Sequence, residues 1–152
     1  MLEMLKKVNL FENLSEHELE KIEKISRMEA FAKDAVIFKE GDPGDCCYVI
    51  TNGSVRISKF IPNIGEEALA VMKPGDYFGE MALIDKFPRS AHAIANTDVA
   101  LLAFNKADLD KVLVMDQELG YKLLWIFTKT LSKRLREMNE KLASFLVMSG
   151  GF

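Results

Sequence analysis

Residues 78–91 read FGEMALIDKFPRSA. Gly79 precedes an acid, Glu80, and Arg89 follows that acid by nine residues. Glycine lets the backbone approach a ligand closely, and amides at the start of a helical turn can point at a phosphate. The guanidinium adds a positive charge and a planar donor fork, while the carboxylate can accept hydrogen bonds from a sugar hydroxyl. These residues therefore predict a site for a small anionic sugar phosphate.

The same segment resembles the phosphate-binding cassette of cyclic nucleotide-binding domains. Its pattern is F-G-E, a hydrophobic residue, A-L-I, three variable residues and P-R-S/T/A-A. The resemblance implies that Glu80 binds the ribose 2′-hydroxyl and that Arg89 binds the cyclic phosphate. It also implies further phosphate contacts through backbone amides and one hydroxyl, from Gly79, Met81, Ala82 and Ser90. An ordinary ion pair between Glu80 and Arg89 is the structural alternative.

The resemblance also implies a slot for the base, lined by the apolar residues Ile57, Leu69 and Met72. The alternative is that these residues only form part of the hydrophobic core of the roll. Residues 133–142 align without a gap with the catabolite activator branch, in which polar helix residues contact adenine. Asn139 is the expected base contact, from its own chain or across a dimer, because its amide can bond adenine bidentately. A solvated Asn139 is the alternative. The expected ligand is cAMP, with cGMP as the alternative.

Between residues 28 and 104, short apolar runs alternate with turn residues such as Asn52-Gly53 and Lys73-Pro74-Gly75-Asp76. This spacing indicates a sandwich or barrel. The resemblance implies a mainly β fold with flanking helices, a double-stranded β-helix that forms a jelly-roll-like β-roll. It places Gly41, Gly53 and Gly75 in turns.

Helices are expected on both sides of the roll. Ser15 and Glu18 form a capping-box pattern, and Asn105 can cap a short helix. A long helix is predicted from Gln117 to Met148. We expect one domain over residues 1–152, with helices in 1–27, the β-roll in 28–104, the cassette in 78–91 and helices in 105–148.

The long helix carries an apolar seam at alternating spacings of three and four residues. Its members are Tyr121, Leu124, Thr128, Leu131, Leu135, Met138, Leu142 and Phe145. This heptad period predicts a homodimer through the helix. The alternative is that the seam packs on the roll, although Trp125, Ile126 and Phe127 offer a separate apolar surface for that contact.

The composition limits the remaining classes of function. The net charge is −3, so no overall positive charge attracts nucleic acid. No run of 18 apolar residues occurs, so no transmembrane helix is expected. The adjacent Cys46 and Cys47 lie in a strand-like run, where neighbouring side chains point to opposite faces. We expect both thiols to be reduced, with one pointing inward and one outward. With only two histidines, His17 and His92, a metal-dependent enzyme is disfavoured.

We therefore expect a cytoplasmic, non-enzymatic sensor without a cofactor or metal, acting on an unidentified downstream protein. Neither direct DNA binding nor membrane binding is expected. A dimerising interaction protein with a vestigial pocket is the competing hypothesis.

Overall fold

The computed structural model describes residues 1–150, in which helices flank eight short strands. The N-terminal helical segments are α1 (Leu2–Leu5), a 3₁₀ turn (Asn9–Phe11) and α2 (Glu16–Ile25). The strands are β1 (Ser26–Phe31), β2 (Val36–Phe38), β3 (Cys46–Asn52), β4 (Val55–Ile61), β5 (Gly65–Met72), β6 (Tyr77–Phe78), β7 (His92–Ala95) and β8 (Val99–Asn105). The remaining helices are α3 (Met81–Ile84), between β6 and β7, and then α4 (Lys106–Met115) and α5 (Gln117–Met148).

The strands form two four-stranded antiparallel sheets, in the orders β1-β8-β3-β6 and β2-β7-β4-β5. Strands that are distant in sequence are neighbours, so the chain winds back and forth between the sheets. The predicted mainly β, jelly-roll-like fold with flanking helices is confirmed. Gly41, Gly53 and Gly75 all have positive φ, as expected of turn glycines.

The sheet that contains β3 and β8 is covered on both faces. Along β3, Cys46, Tyr48 and Ile50 point into the roll, whereas Cys47 and Val49 point toward the helices. Neighbouring side chains alternate as expected. The predicted opposite orientation of the two cysteines is confirmed. Both thiols are buried, because the helices cover the outer face of this sheet.

Side-chain caps fix the beginnings of the helices. The capping box at α2 is present: Glu18 N donates to Ser15 Oγ at 3.2 Å, and Ser15 N donates to Glu18 Oε2 at 3.3 Å. Glu18 also accepts from Lys122 Nζ at 2.9 Å, which joins α2 to α5. Asn105 caps α4 by accepting from Ala107 N at 2.8 Å. These predicted caps are confirmed.

Helix α5 has the predicted bounds and uses two different surfaces. Its first half packs on the core through Leu119, Leu123 and Phe127. Trp125, which was expected on that packed surface, is instead 50% exposed. Of the eight seam residues, seven are exposed and Leu131 is half-buried. The seam is therefore not used for packing on the roll.

Candidate ligand-binding site

A glycine shapes the start of the cassette. Gly79 follows β6 and has a φ of +82°, a conformation that residues with a side chain rarely adopt. A Cβ at this position would lie 2.7 Å from Arg89 Nη1 and 3.0 Å from the carbonyl oxygen of Cys46. Both the backbone conformation and this close approach require glycine.

Arg89 is a buried cation that contacts neutral groups. Its side chain is 6% exposed, with Nη1 donating to the Gly79 carbonyl at 3.1 Å and Nη2 to the Cys46 carbonyl at 2.7 Å. Nε is buried and finds no hydrogen-bond partner among residues 1–150. Nor does any carboxylate in that range form a salt bridge with Arg89. The alternative of an ion pair between Glu80 and Arg89 is therefore wrong.

Glu80 is paired with a residue that sequence reasoning missed. It is 2% exposed, and its Oε1 forms an ion pair with Nη1 of Arg134, on α5. Arg134 Nη2 also donates to the carbonyl of Tyr77. Arg134 lies within the aligned segment 133–142, but nothing in that segment shows which basic side chain reaches the cassette. Through Arg134, α5 is tied directly to the predicted ribose site.

The other cassette residues surround a short helical turn. Ala82 is buried, whereas the side chains of Met81 and Ser90 are exposed. The Glu80 side chain does not cap α3. The first amides of a helix have no partners within the helix and are available to an anion.

The loop between β2 and β3 holds the backbone of Arg89. Gly41 N donates to the Arg89 carbonyl and Arg89 N donates to the Asp42 carbonyl, both at 2.8 Å. In the same loop, Gly44 packs so closely on α3 that a Cβ there would lie 2.1 Å from the Cβ of Ala82. The loop and the cassette thus form one packed unit around the guanidinium.

The predicted base-slot residues lie in different environments. Met72 is buried and Ile57 is half-buried, and both pack inside the roll. Leu69 is 37% exposed, and its carbonyl accepts from Lys141 Nζ of α5 at 3.3 Å.

The structure does not bring Asn139 to the cassette within one chain. Arg134 and Lys141 both contact the roll, and they are seven residues, or about two helical turns, apart on α5. Met138 shares their side of the helix because it follows Arg134 by four residues. Asn139 is turned away from that side and is exposed.

Burial raises the pKa of two neighbouring acidic groups, which favours their neutral forms. It raises the pKa of the Cys47 thiol, and repulsion from Glu80 adds to the effect. It also raises the pKa of the Tyr77 phenol to about 12. The cassette itself holds two buried charged side chains, Glu80 and Arg89, and Arg134 of α5 pairs with Glu80.

Comparison with known proteins identifies the family. A profile described as the cyclic nucleotide-binding domain matches residues 28–116, more than half of the chain. The chain belongs to the cyclic nucleotide-binding domain family. It is 30% identical, over 95% of its length, to the CRP-like cAMP-activated global transcriptional regulator of Mycobacterium tuberculosis. It spans 62% of that regulator and 22% of a cAMP-dependent protein kinase regulatory subunit from Hypocrea atroviridis, to which it is 35% identical.

Solved structures show the same fold. A cyclic nucleotide-binding domain from Methylobacillus flagellatus superposes with a TM-score of 0.82 and 32% identity, covering 93% of this chain and 80% of that one. The catabolite activator protein of Thermus thermophilus gives a TM-score of 0.75 and 30% identity, covering 90% of this chain and 62% of that one.

Two features are absent from residues 1–150. In this range no helix has the length and apolar character needed to cross a membrane. The same residues contain no group of three or more His, Cys, Asp or Glu side chains that could hold a metal ion.

Proposed function

We propose that this protein is a non-enzymatic sensor that binds a 3′,5′-cyclic nucleotide at residues 79–90, with cAMP preferred over cGMP. The observation that carries this proposal is the buried guanidinium of Arg89, which has an unpartnered Nε and no carboxylate partner in residues 1–150. A buried charge is costly unless it is paired. One phosphodiester anion would supply both the missing charge and an acceptor for Nε.

Glu80 adds selectivity for the sugar. Arg134 engages Oε1, and a carboxylate has further lone pairs that can accept from a hydroxyl. A 3′,5′-cyclic ribonucleotide has a free 2′-hydroxyl, whereas a 2′,3′-cyclic one does not. The name of the mycobacterial relative, a cAMP-activated regulator, supports cAMP as the ligand. In this proposal Asn139 contacts the base from the partner of a dimer, because its own chain turns it away from the site.

Ligand binding is relayed through α5. Arg134 connects this helix to Glu80, so a ligand that engages Glu80 changes the balance of contacts that hold the helix on the roll. The signal is a shift between two positions of α5, set by the difference in ligand affinity between them. The downstream partner in this proposal is another protein rather than DNA.

The exposed seam of α5 fits a second copy of the same helix, because its heptad period is that of a two-stranded coiled coil. We expect Leu135→Glu combined with Leu142→Glu to convert a dimer to a monomer. Light scattering after size-exclusion chromatography would measure this. A double substitution on the charged side, Lys133→Gln with Arg136→Gln, lowers the net charge by the same two units and is the control. A wild-type protein that is monomeric at all concentrations would contradict the dimer.

Calorimetric titration tests the ligand proposal. Wild type, Arg89→Lys and Arg89→Ala would each be titrated with cAMP, cGMP and 2′-deoxy-cAMP, with Arg136→Lys, an exposed arginine of α5, as the control. Both Arg89 variants should lose at least about thirtyfold in affinity, since truncating one side of a buried charge pair costs about 2–5 kcal/mol. Lysine keeps the charge but not the planar fork. An unchanged dissociation constant in Arg89→Ala would contradict the proposal.

The exposed seam also favours a second candidate, an interaction protein whose pocket is vestigial. Thermal denaturation separates the two. A ligand at 100 times its dissociation constant adds about 2.7 kcal/mol to stability. A dimer whose melting temperature no cyclic nucleotide changes would favour the interaction protein.

A further inference from the structure

We propose that Phe38 is a positioning residue that holds the guanidinium of Arg89 against its aromatic face and so keeps Nε available to the anionic ligand. The Cζ atom of Arg89 lies 4.1 Å from the centroid of the Phe38 ring. This is within the range of a cation–π interaction, which is stronger when the cation is desolvated, as the buried Arg89 is. The inference rests on the proposed function, because it concerns the same anion site.

The ring completes the set of contacts around the guanidinium. Nη1 and Nη2 are fixed by the carbonyls of Gly79 and Cys46, while Phe38 covers one face of the group. Nε remains without a partner in residues 1–150. The side chain is therefore oriented before any ligand arrives, and the entropic cost of ordering it is already met.

An aromatic ring suits this position better than an acid. A carboxylate at the same place would neutralise Arg89 and compete with an incoming phosphate. The quadrupole of a ring attracts the cation but leaves its net charge unchanged. Phe38 can therefore stabilise the buried charge in the unliganded protein without weakening its attraction for an anion.

The ring is itself held in place. Its centroid lies 6.2 Å from that of Tyr48 and 5.9 Å from that of Phe78, and these two rings stack at 5.3 Å. Phe38 also ends β2, immediately before the loop whose Gly41 and Asp42 bond the backbone of Arg89. One continuous segment thus fixes both the backbone and the guanidinium of the same residue.

The test compares Phe38→Leu, which removes the ring, with Phe38→Tyr, which keeps it. Tyr48→Leu is the matched control, because Tyr48 belongs to the same buried aromatic cluster. The first measurement is the dissociation constant for cAMP by calorimetry. Phe38→Leu should weaken binding about tenfold, Phe38→Tyr should bind like wild type, and Tyr48→Leu should weaken binding less than Phe38→Leu.

The second measurement would not respond to a purely structural role. In the unliganded protein, the NMR resonance of the Arg89 Nε–H group, assigned by its loss in Arg89→Lys, should be shifted upfield by the ring current of Phe38. The shift should disappear in Phe38→Leu and persist in Phe38→Tyr and Tyr48→Leu. Should Phe38→Leu fail to fold, Phe38→Met keeps much of the volume without a ring and carries the same expectations.

An Arg89 resonance that does not move in the ring-deleted variant would overturn the proposal, whatever happens to affinity. Equal losses of affinity in Phe38→Leu and Tyr48→Leu would also overturn it, because they would indicate general loosening of the cluster. If wild type binds no cyclic nucleotide, the proposed function fails. The resonance then still decides whether Phe38 positions Arg89.

Discussion

Removing Arg134 should destabilise the unliganded protein, because it leaves the Glu80 carboxylate buried without its partner. Glu80 is 2% exposed, and the Arg134 side chain is 33% exposed. Breaking a fully buried pair costs about 3–5 kcal/mol. Solvent reaches the arginine here, so we expect about 1–3 kcal/mol for Arg134→Met, which keeps the aliphatic stem.

A double-mutant cycle isolates this pair from general packing effects. Glu80→Gln removes the charge that Arg134 neutralises, so adding Arg134→Met to it should cost less than Arg134→Met alone, by about 1–2 kcal/mol. The free energies of unfolding would be measured by urea denaturation without ligand, at a single protein concentration. Arg136→Met, on the exposed side of the same helix, is the control and should be nearly neutral. Costs that add within about 0.5 kcal/mol would show that Glu80 and Arg134 do not stabilise one another.

Three other predictions concern the cassette, the helix contact and the response to pH. Gly79→Ala should weaken cAMP binding in calorimetry far more than Gly65→Ala, because both glycines have positive φ but only the first Cβ would collide with the guanidinium. Glu18→Ala, which loses the capping box and the bond to the lysine of α5, should lower the unfolding free energy by about 1–2 kcal/mol. Glu18→Gln, which can keep the cap, should cost less, and equal costs would contradict this. Burial raises the pKa of both Tyr48 and Tyr77 from 10.0 to about 12. Between these values the folded state holds more protons than the unfolded state, so stability should fall as pH rises above about 10. A flat melting temperature from pH 9 to 11 would contradict that assignment.

Local sequence patterns predicted much of the helical structure. Ser15 and Asn105 are short polar residues placed directly before helical patterns, and both caps form as predicted. The long helix was predictable from its apolar period between Tyr121 and Phe145. Strand β6 could not be predicted individually, because its two residues are too few to show a period.

Contacts between residues that are distant in sequence could not be predicted from local patterns. Arg134 reaches Glu80 across 54 residues of sequence, and other basic side chains nearby have similar chemistry. Arg89 is held by carbonyls, which every residue possesses and no sequence pattern marks. The burial of Cys46 and Cys47 on opposite faces depends on which elements cover the sheet, and that is decided by the packing of the whole chain.

In the proposed site, the Arg89 guanidinium and the amides of the cassette bind one cyclic phosphate. A crystal structure of the protein with cAMP tests it most directly, through the distance from Arg89 Nε to the nearest exocyclic phosphate oxygen. We predict a charge-assisted hydrogen bond of about 2.7–2.9 Å, with the 2′-hydroxyl donating to Glu80. A nucleotide bound elsewhere, with Nε still unpartnered and residues 79–90 free of ligand, would show that Arg89 does not bind the phosphate.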